Sequence, residues 1–124
     1  MKKINLAEKF KLIDQHWSPR ILAELNGQHV KIAKIMGSFD WHHHEHEDEL
    51  FLIIDGHLRM ELKAADGTES SVELKPGEIF VVPRGVEHRP VAEEETQILM
   101  FEPMGTLNTG NIQSERTVDS PGLI

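Results

Sequence analysis

Nine consecutive residues, 41 to 49, read WHHHEHEDE and bring four histidines and four acids into one short stretch. Imidazole and carboxylate groups are common ligands of divalent metal ions, so the stretch predicts a metal site. Alternate residues of a strand share a face, which places His42 and His44 together. Glu49 begins the next predicted strand and brings its carboxylate beside the two imidazoles if that strand pairs with the first.

Three donors leave the shell of a metal ion open, so a further donor must come from elsewhere in the chain. His88 is the best remote candidate, because it follows the rigid turn Pro83-Arg84-Gly85 and begins another predicted strand. The resulting set of nitrogen and oxygen donors suits Zn, Mn, Fe(II), Ni or Co and does not choose among them. The predicted metal ligands are therefore His42, His44, Glu49 and His88.

The other polar residues of the stretch have different expected roles. His43 has the wrong strand parity for the interior, and His46 lies in the expected turn, so both are predicted to be solvated or outer-shell residues. The alternative pair, His44 and His46 with Glu49, is disfavoured because it leaves little chain for the turn. Residues 45–48 are expected to form a solvated acidic turn.

Short strands separated by turn residues dominate the chain after a brief N-terminal helix. The helix is expected at about residues 5–14, because Asn5 and Glu8 have the spacing of a capping box. About eight strands follow, and Asn26-Gly27 and Asp55-Gly56 each predict a two-residue hairpin turn. This rhythm is typical of an antiparallel sandwich or barrel. The segment FLII is apolar on both faces, which predicts burial on one side by the core and on the other by a second sheet or a partner.

Composition limits the class of protein. A chain of 124 residues fits one domain, here with a barrel at about 20–103 and a coil at 104–124. The absence of cysteine excludes thiolate ligands and disulfides. A formal charge of −8 favours neither nucleic acid nor a membrane surface as a partner. No signal peptide is visible, so a cytoplasmic location is the default expectation.

Two motifs resemble those of the cupin superfamily, specifically the small single-domain cupins of type 2. The first consists of Gly37, the His42-x-His44 pair, Glu49 and Gly56, with four rather than five residues after the first glycine. The second consists of Gly77, Pro83-x-Gly85 and His88, with Ala92 where the family has asparagine. That asparagine is not a metal ligand in the family, so the predicted metal site is unaffected.

The resemblance implies an all-β fold, a double-stranded β-helix or jelly-roll barrel, with a divalent metal ion inside one end and a homodimeric assembly. It covers dioxygenases, isomerases, decarboxylases and non-catalytic binding domains. The leading hypothesis is a metal-dependent enzyme, dioxygenase- or isomerase-like, acting on a small oxygenated metabolite. The alternative is a module that binds or senses a small ligand without turnover. No catalytic acid or base is assigned from the sequence.

Several further residues are candidates for a pocket beside the metal. Phe51 and Ile53 share the face of Glu49 and are expected to line the barrel interior. Two arginines, Arg84 and Arg89, flank His88 and could bind a carboxylate or phosphate, although a solvated role is favoured. The remaining pocket candidates are apolar: Met60, Phe80 and Met100.

Overall fold

A computed structural model describes all 124 residues and contains one short helix and seven strands. The elements are α1 (Leu6–Phe10), β1 (Arg20–Leu25), β2 (Gln28–Ser38), β3 (Glu49–Asp55), β4 (Leu58–Lys63), β5 (Glu69–Leu74), β6 (Ile79–Val82) and β7 (Glu87–Pro103). The count is seven rather than about eight because β7 runs without interruption through two segments that were predicted as separate strands. No helix of the chain is both long and apolar enough to cross a membrane.

The helix α1 begins where the sequence predicts. The Asn5 side chain accepts a hydrogen bond from the Glu8 backbone N–H at 2.9 Å, which satisfies one of the free donors of the first turn. The helix ends at Phe10, and turn-type hydrogen bonds take over in the next residues. Phe10 is buried in a small cluster with Ile13, Leu22 and Ile32, which fastens α1 to the outer face of β1 and β2.

Antiparallel pairing in the order β1-β2-β7-β3-β6 forms the main sheet, and β4 pairs with both β5 and the first part of β7. The long strand β7 thus joins the two halves of a jelly-roll barrel, because different lengths of it face β4 and β3. Inside lies a core of eleven buried apolar residues. The strands β1 and β2 form the predicted hairpin, with Asn26 and Gly27 both at positive φ, as a type I′ turn requires.

The prediction of a second hairpin at Asp55-Gly56 is wrong. The strands on either side of this turn, β3 and β4, do not pair with each other; β3 pairs with β6 and β7. Gly56 instead lies against Thr96 of β7, where an added Cβ would be 2.4 Å from the Thr96 hydroxyl. The turn therefore carries the chain across the barrel. The dipeptide predicts that a turn forms, but it does not predict which strand β3 or β4 pairs with.

Both faces of β3 are used. Phe51 and Ile53 point into the core and are buried, while Ile54 on the other face packs against the cluster around Phe10. Leu50 and Leu52 on that outer face are half-buried. The apolar segment FLII thus has the core on one side, and the N-terminal helix and β1 cover part of the other.

Candidate metal centre

His42 is held beside His88 by a pair of backbone hydrogen bonds. The His42 N–H donates to the His88 carbonyl at 3.0 Å, and the His88 N–H donates to the His42 carbonyl at 2.9 Å. In each imidazole Nδ1 donates to a carbonyl two residues earlier, that of Asp40 for His42 and that of Val86 for His88. Because a carbonyl can only accept, Nδ1 carries the proton in both rings, and Nε2 of each neutral ring keeps a lone pair.

His44 and Glu49 complete the group from two further positions. The His44 carbonyl accepts from the Gly85 N–H at 2.7 Å, which ties the loop to the turn before His88. Glu49 is the first residue of β3, and its side chain enters the barrel on the same face as Phe51. Its Oε1 lies 3.3 Å from His44 Nε2 and 3.5 Å from His88 Nε2.

These four side chains fit a divalent metal ion. All are buried, and one potential ligand atom from each lies within 4.8 Å of the others. Nε2 of His44 and Nε2 of His88 are buried and have no hydrogen-bond partner, since their contacts with Glu49 lack hydrogen-bond geometry. Buried polar atoms without partners are costly, and an ion bound among them would satisfy both. The assignment of the four as ligands stays a prediction.

The charges of the site favour a neutral imidazole at one position and a carboxylate at another. Burial, together with the neighbouring His88, lowers the pKa of His42 to about 4. Burial also opposes the charged form of His44, but the nearby Glu49 carboxylate outweighs it and raises the pKa of His44. Burial opposes ionisation of Glu49, but contacts with its polar neighbours outweigh it and hold its pKa well below the ordinary value.

A buried ion pair that the sequence reasoning missed lies next to this group. Lys31 Nζ donates to Glu102 Oε1 at 2.8 Å, and both side chains are almost fully buried. The other carboxylate oxygen of Glu102, Oε2, is buried without a hydrogen-bond partner, and Glu102 lines the same cavity as Glu49. Burial and the negative charge of Glu49 outweigh the effect of Lys31 and raise the pKa of Glu102 well above its usual range.

Strand parity contained a signal for this pair. Lys31 shares the inward face of β2 with Ala33 and Ile35, and Glu102 shares the inward face of β7 with Met100. A lysine and a glutamate on apolar inward faces indicate a buried polar pair or a site. Lys31 lies directly opposite Met100 in the sheet, so Glu102 is its diagonal neighbour.

A cavity of about 40 Å³ adjoins the site. A cavity of this volume holds about three groups the size of a water molecule. His42, Glu49 and Glu102 supply polar groups to its wall, and two of the pocket candidates, Phe51 and Met100, supply apolar surface. Trp17, Phe39 and Asn108 also line it, none of which was among the pocket candidates.

The other pocket candidates lie elsewhere in the structure. Ile53 and Met60 are fully buried in the core, and Phe80 packs against it. Arg84 is exposed and pairs with Asp48. The guanidinium of Arg89 donates to Glu61 at 2.7 Å through Nε and lies over the ring of Trp41, so one edge and one face of it are occupied outside the cavity.

The remaining histidines of the first stretch stand outside the group of four. The side chain of His46 is 87% exposed and that of His43 is 30% exposed, and each approaches Glu45 at about 4 Å. Because His44 is buried whereas His46 is exposed, the register that pairs His42 with His44 is the one that places both imidazoles inside.

Known proteins share both the fold and part of the sequence. A solved structure of a cupin-2 domain containing protein from Shewanella frigidimarina superposes with a TM-score of 0.75 at 42% identity, covering 81% of this chain and 93% of that one. The uncharacterized protein YdbB of Bacillus subtilis is 34% identical over 68 residues, which is 55% of this chain and 57% of that protein. An acireductone dioxygenase of Bacillus licheniformis is 29% identical over 75 residues, 60% of this chain and 42% of that enzyme.

The alignments with these two Bacillus proteins span only about half of their length. The family model for the cupin domain, in contrast, matches residues 28–102, more than half of this chain and the entire stretch that contains the four buried donors. Sequence match, jelly-roll architecture and the buried His/Glu group agree: the chain belongs to the cupin family.

Proposed function

We propose that this protein is a small metal-dependent enzyme with dioxygenase-like chemistry, acting on a small oxygenated metabolite. The observation that carries the proposal is the buried group of three imidazoles and one carboxylate that borders a small, mostly apolar cavity. Four protein donors leave one or two positions open on a six-coordinate ion. A divalent ion held there would supply Lewis-acid polarisation of a substrate oxygen.

The chain's own residues have separable roles in this proposal. His42 and His88 present Nε2 lone pairs whose direction is set by the Nδ1 hydrogen bonds to backbone carbonyls. Phe51 and Met100 keep water away from the reacting atoms. Glu102 is the carboxyl group nearest to Glu49 in the cavity wall, and it can hold a proton at the edge of the site.

The size of the cavity restricts the substrate. The cavity of about 40 Å³ beside the four donors is small, which favours a compact substrate. A compact diol, diketone or enediol fits this limit better than an extended or multi-ring molecule. The 29% identity with an acireductone dioxygenase supports oxygen chemistry at the site, although the alignment spans less than half of that enzyme.

Metal analysis and oxygen uptake test the proposal together. Protein purified without an affinity tag is expected to contain close to one equivalent of a transition metal. Oxygen consumption should then be measured with a panel of small diols and diketones, with the chelator-treated protein as the control. Less than about 0.2 equivalents in every preparation, with no rebinding, would contradict the metal site.

Two other outcomes would favour a function other than that of a dioxygenase. Conversion of a substrate without oxygen uptake would favour isomerase-like chemistry. Saturable binding of a compound from the panel, with no product, would favour a binding or sensing module. Both outcomes leave the metal site intact while they contradict the dioxygenase assignment.

We also propose that the chain forms a homodimer through its exposed apolar edge. β6 pairs only with β3, and its residues Ile79 and Val81 are 60% and 47% exposed. An exposed apolar edge strand is a typical surface for association with another chain. Light scattering at micromolar concentration should give the mass of two chains, and Val81→Lys should give that of one; a monomeric wild type contradicts the proposal.

A further inference from the structure

The residues after β7 form an ordered segment that is fastened to the loop that carries two of the four buried donors. We call residues 108–117 the C-terminal clamp and residues 39–44 the ligand loop. We propose that the clamp positions the metal ligands, with Asn111 as its principal positioning residue. The inference rests on the proposed metal site and concerns a part of the chain that lies beyond the 28–102 match to the cupin family.

Asn111 binds the backbone of His43 twice. The His43 N–H donates to the Asn111 side-chain oxygen at 2.8 Å, and the Asn111 N–H donates to the His43 carbonyl at 3.0 Å. On either side, backbone groups of His42 and His44 form hydrogen bonds with the barrel, at His88 and Gly85 respectively. Asn111 therefore binds both backbone groups of the one residue between the two histidines, whose N–H and C=O have no partner in the sheet.

Gly110 allows this close approach. A Cβ built on Gly110 would lie 2.2 Å from the His43 carbonyl oxygen and 3.0 Å from Cδ2 of the His42 ring. Its φ of 56° is also in the left-handed region that glycine adopts readily. The backbone of the clamp thus lies directly against the ligand loop, with no room for a side chain between them.

A second attachment reaches Asp40, whose carbonyl orients the His42 ring. The Ser114 hydroxyl donates to Asp40 Oδ2 at 2.8 Å, and Arg116 donates to the Ser38 carbonyl at 2.7 Å. Arg116 also lies over the rings of Trp17 and Phe39, two of the residues that line the cavity. The clamp therefore fixes the start of the ligand loop as well as its centre.

The clamp is stiff enough to act as a support. Thr109 is fully buried, and its hydroxyl bonds with the Ile112 carbonyl and the Thr117 hydroxyl at 2.8 and 2.7 Å. Asn108 uses both ends of its amide on the backbone of Arg116 and Val118. Partners of metal ligands that fix their orientation affect metal affinity about 10- to 100-fold when they are removed.

The test is a titration of the metal-free, full-length protein with Co²⁺, followed by the visible absorption of the ion. Asn111→Ala should weaken Co²⁺ binding about tenfold and alter the absorption spectrum. Asn111→Asp keeps an acceptor for the His43 N–H and should bind within about threefold of the wild type. Thr106→Val is the matched control, because it loses a buried side-chain hydrogen bond to the Pro103 carbonyl outside the clamp and none to the ligand loop.

The metal-free melting temperature of each variant separates positioning from folding. We expect Asn111→Ala and Thr106→Val to lower it to a similar extent while only the first weakens Co²⁺ binding. Equal loss of affinity in both variants, or binding by Asn111→Ala within about threefold of wild type, overturns the inference. If Asn111→Ala does not fold, Ser114→Ala must show a larger loss of affinity than Thr106→Val, or the inference is overturned.

The same titration separates this inference from the proposed function. A wild-type chain that takes up no Co²⁺ overturns the metal site and the clamp together. A wild-type chain that binds one equivalent, with Asn111→Ala unchanged, overturns the role of the clamp and leaves the metal site standing.

Discussion

His42 and His88, on distant parts of the chain, exchange two backbone hydrogen bonds and lie with their ring centroids 4.3 Å apart. Main-chain atoms make this bridge, so the pairing does not depend on either imidazole. The barrel thus positions the two ligand candidates before any ion binds. A site built in this way should tolerate loss of one imidazole without loss of the fold.

Replacement of His88 by Ala is accordingly expected to abolish metal binding and preserve the barrel. The side chain is fully buried and supplies one donor, so Co²⁺ affinity should fall at least about 100-fold, while the backbone bridge survives. Titration calorimetry measures the affinity, and far-ultraviolet circular dichroism measures the fold. His46→Ala is the control, because that imidazole is 87% exposed and should leave affinity unchanged. Loss of the strand signal in His88→Ala would indicate a structural role instead.

Metal binding near pH 6.5 should displace a proton from His44. Its pKa lies above the ordinary value of 6.5, so its ring is mostly protonated at this pH, and a metal ion must displace the proton. His42, with a pKa of about 4, and Glu49, with a lowered pKa, are already in the forms that bind metal. Affinity should therefore increase with pH until it passes the pKa of His44, and then level off.

Calorimetry in two buffers with different ionisation enthalpies measures the number of protons released. Measurements at pH 6.5 and at pH 8.5 provide the comparison, since a smaller fraction of His44 is protonated at the higher value. The absence of proton release at pH 6.5, or equal release at both pH values, would contradict this assignment of charge.

The part of the site that could be predicted from sequence is the part that depends on local rules. Alternation selects His42 and His44, although residues 39–44 form a loop with a single bridge at His42 rather than the expected strand, and the turn at Pro83 to Gly85 places His88 at the start of a strand. Family resemblance joins the two segments. The structure brings these residues together because the barrel aligns segments whose local geometry was already specified.

What escaped prediction depends on pairing between distant segments. The Asp55-Gly56 dipeptide predicts a turn. It cannot show that the strands before and after the turn, β3 and β4, pair with other strands rather than with each other. The clamp lacks any hydrophobic period, because its order comes from side-chain to backbone hydrogen bonds such as those of Asn108 and Asn111. Such bonds follow from the tertiary arrangement and leave no pattern in the sequence.

Removal of Lys31 is expected to destabilise the metal-free protein substantially. Replacement by Met leaves the Glu102 carboxyl buried without its hydrogen-bond donor, and an unsatisfied buried polar group costs about 1–3 kcal/mol. The pKa of Glu102, already raised, then rises further above its unfolded value. The contribution of protonated Glu102 to stability is therefore present at low pH and lost as pH increases. The free energy of unfolding of the variant should be lower at pH 8 than at pH 5.

Urea denaturation in the presence of a chelator measures this cost at both pH values. Lys34→Met is the control on the same strand: its ammonium group donates to the Ile13 carbonyl and is part-buried, so the expected loss is about 1 kcal/mol. Equal losses for the two lysine variants, independent of pH, would indicate that the pair with Glu102 contributes no more than an ordinary hydrogen bond.

Gly56 closes the first of the two sequence motifs, and its contact with β7 explains why a side chain is excluded there. A Cβ at this position would lie 2.9 Å from the Thr96 Cα as well as 2.4 Å from the hydroxyl, so backbone would have to move. Thr96 cannot retreat easily, because its hydroxyl accepts from the His57 N–H and donates to a backbone carbonyl. Gly56→Ala should therefore separate β7 from the turn and destabilise the barrel.

Gly67 provides the comparison that isolates this contact. Its φ of 87° is close to the 94° of Gly56, but nothing lies within 4 Å of an added Cβ. Gly67→Ala should cost about 1 kcal/mol through backbone strain alone, whereas Gly56→Ala should cost about 2 kcal/mol more through overpacking. Thermal and urea unfolding measure the difference. Two equal losses would mean that the left-handed backbone, rather than the approach of Thr96, is what requires glycine at the end of the motif.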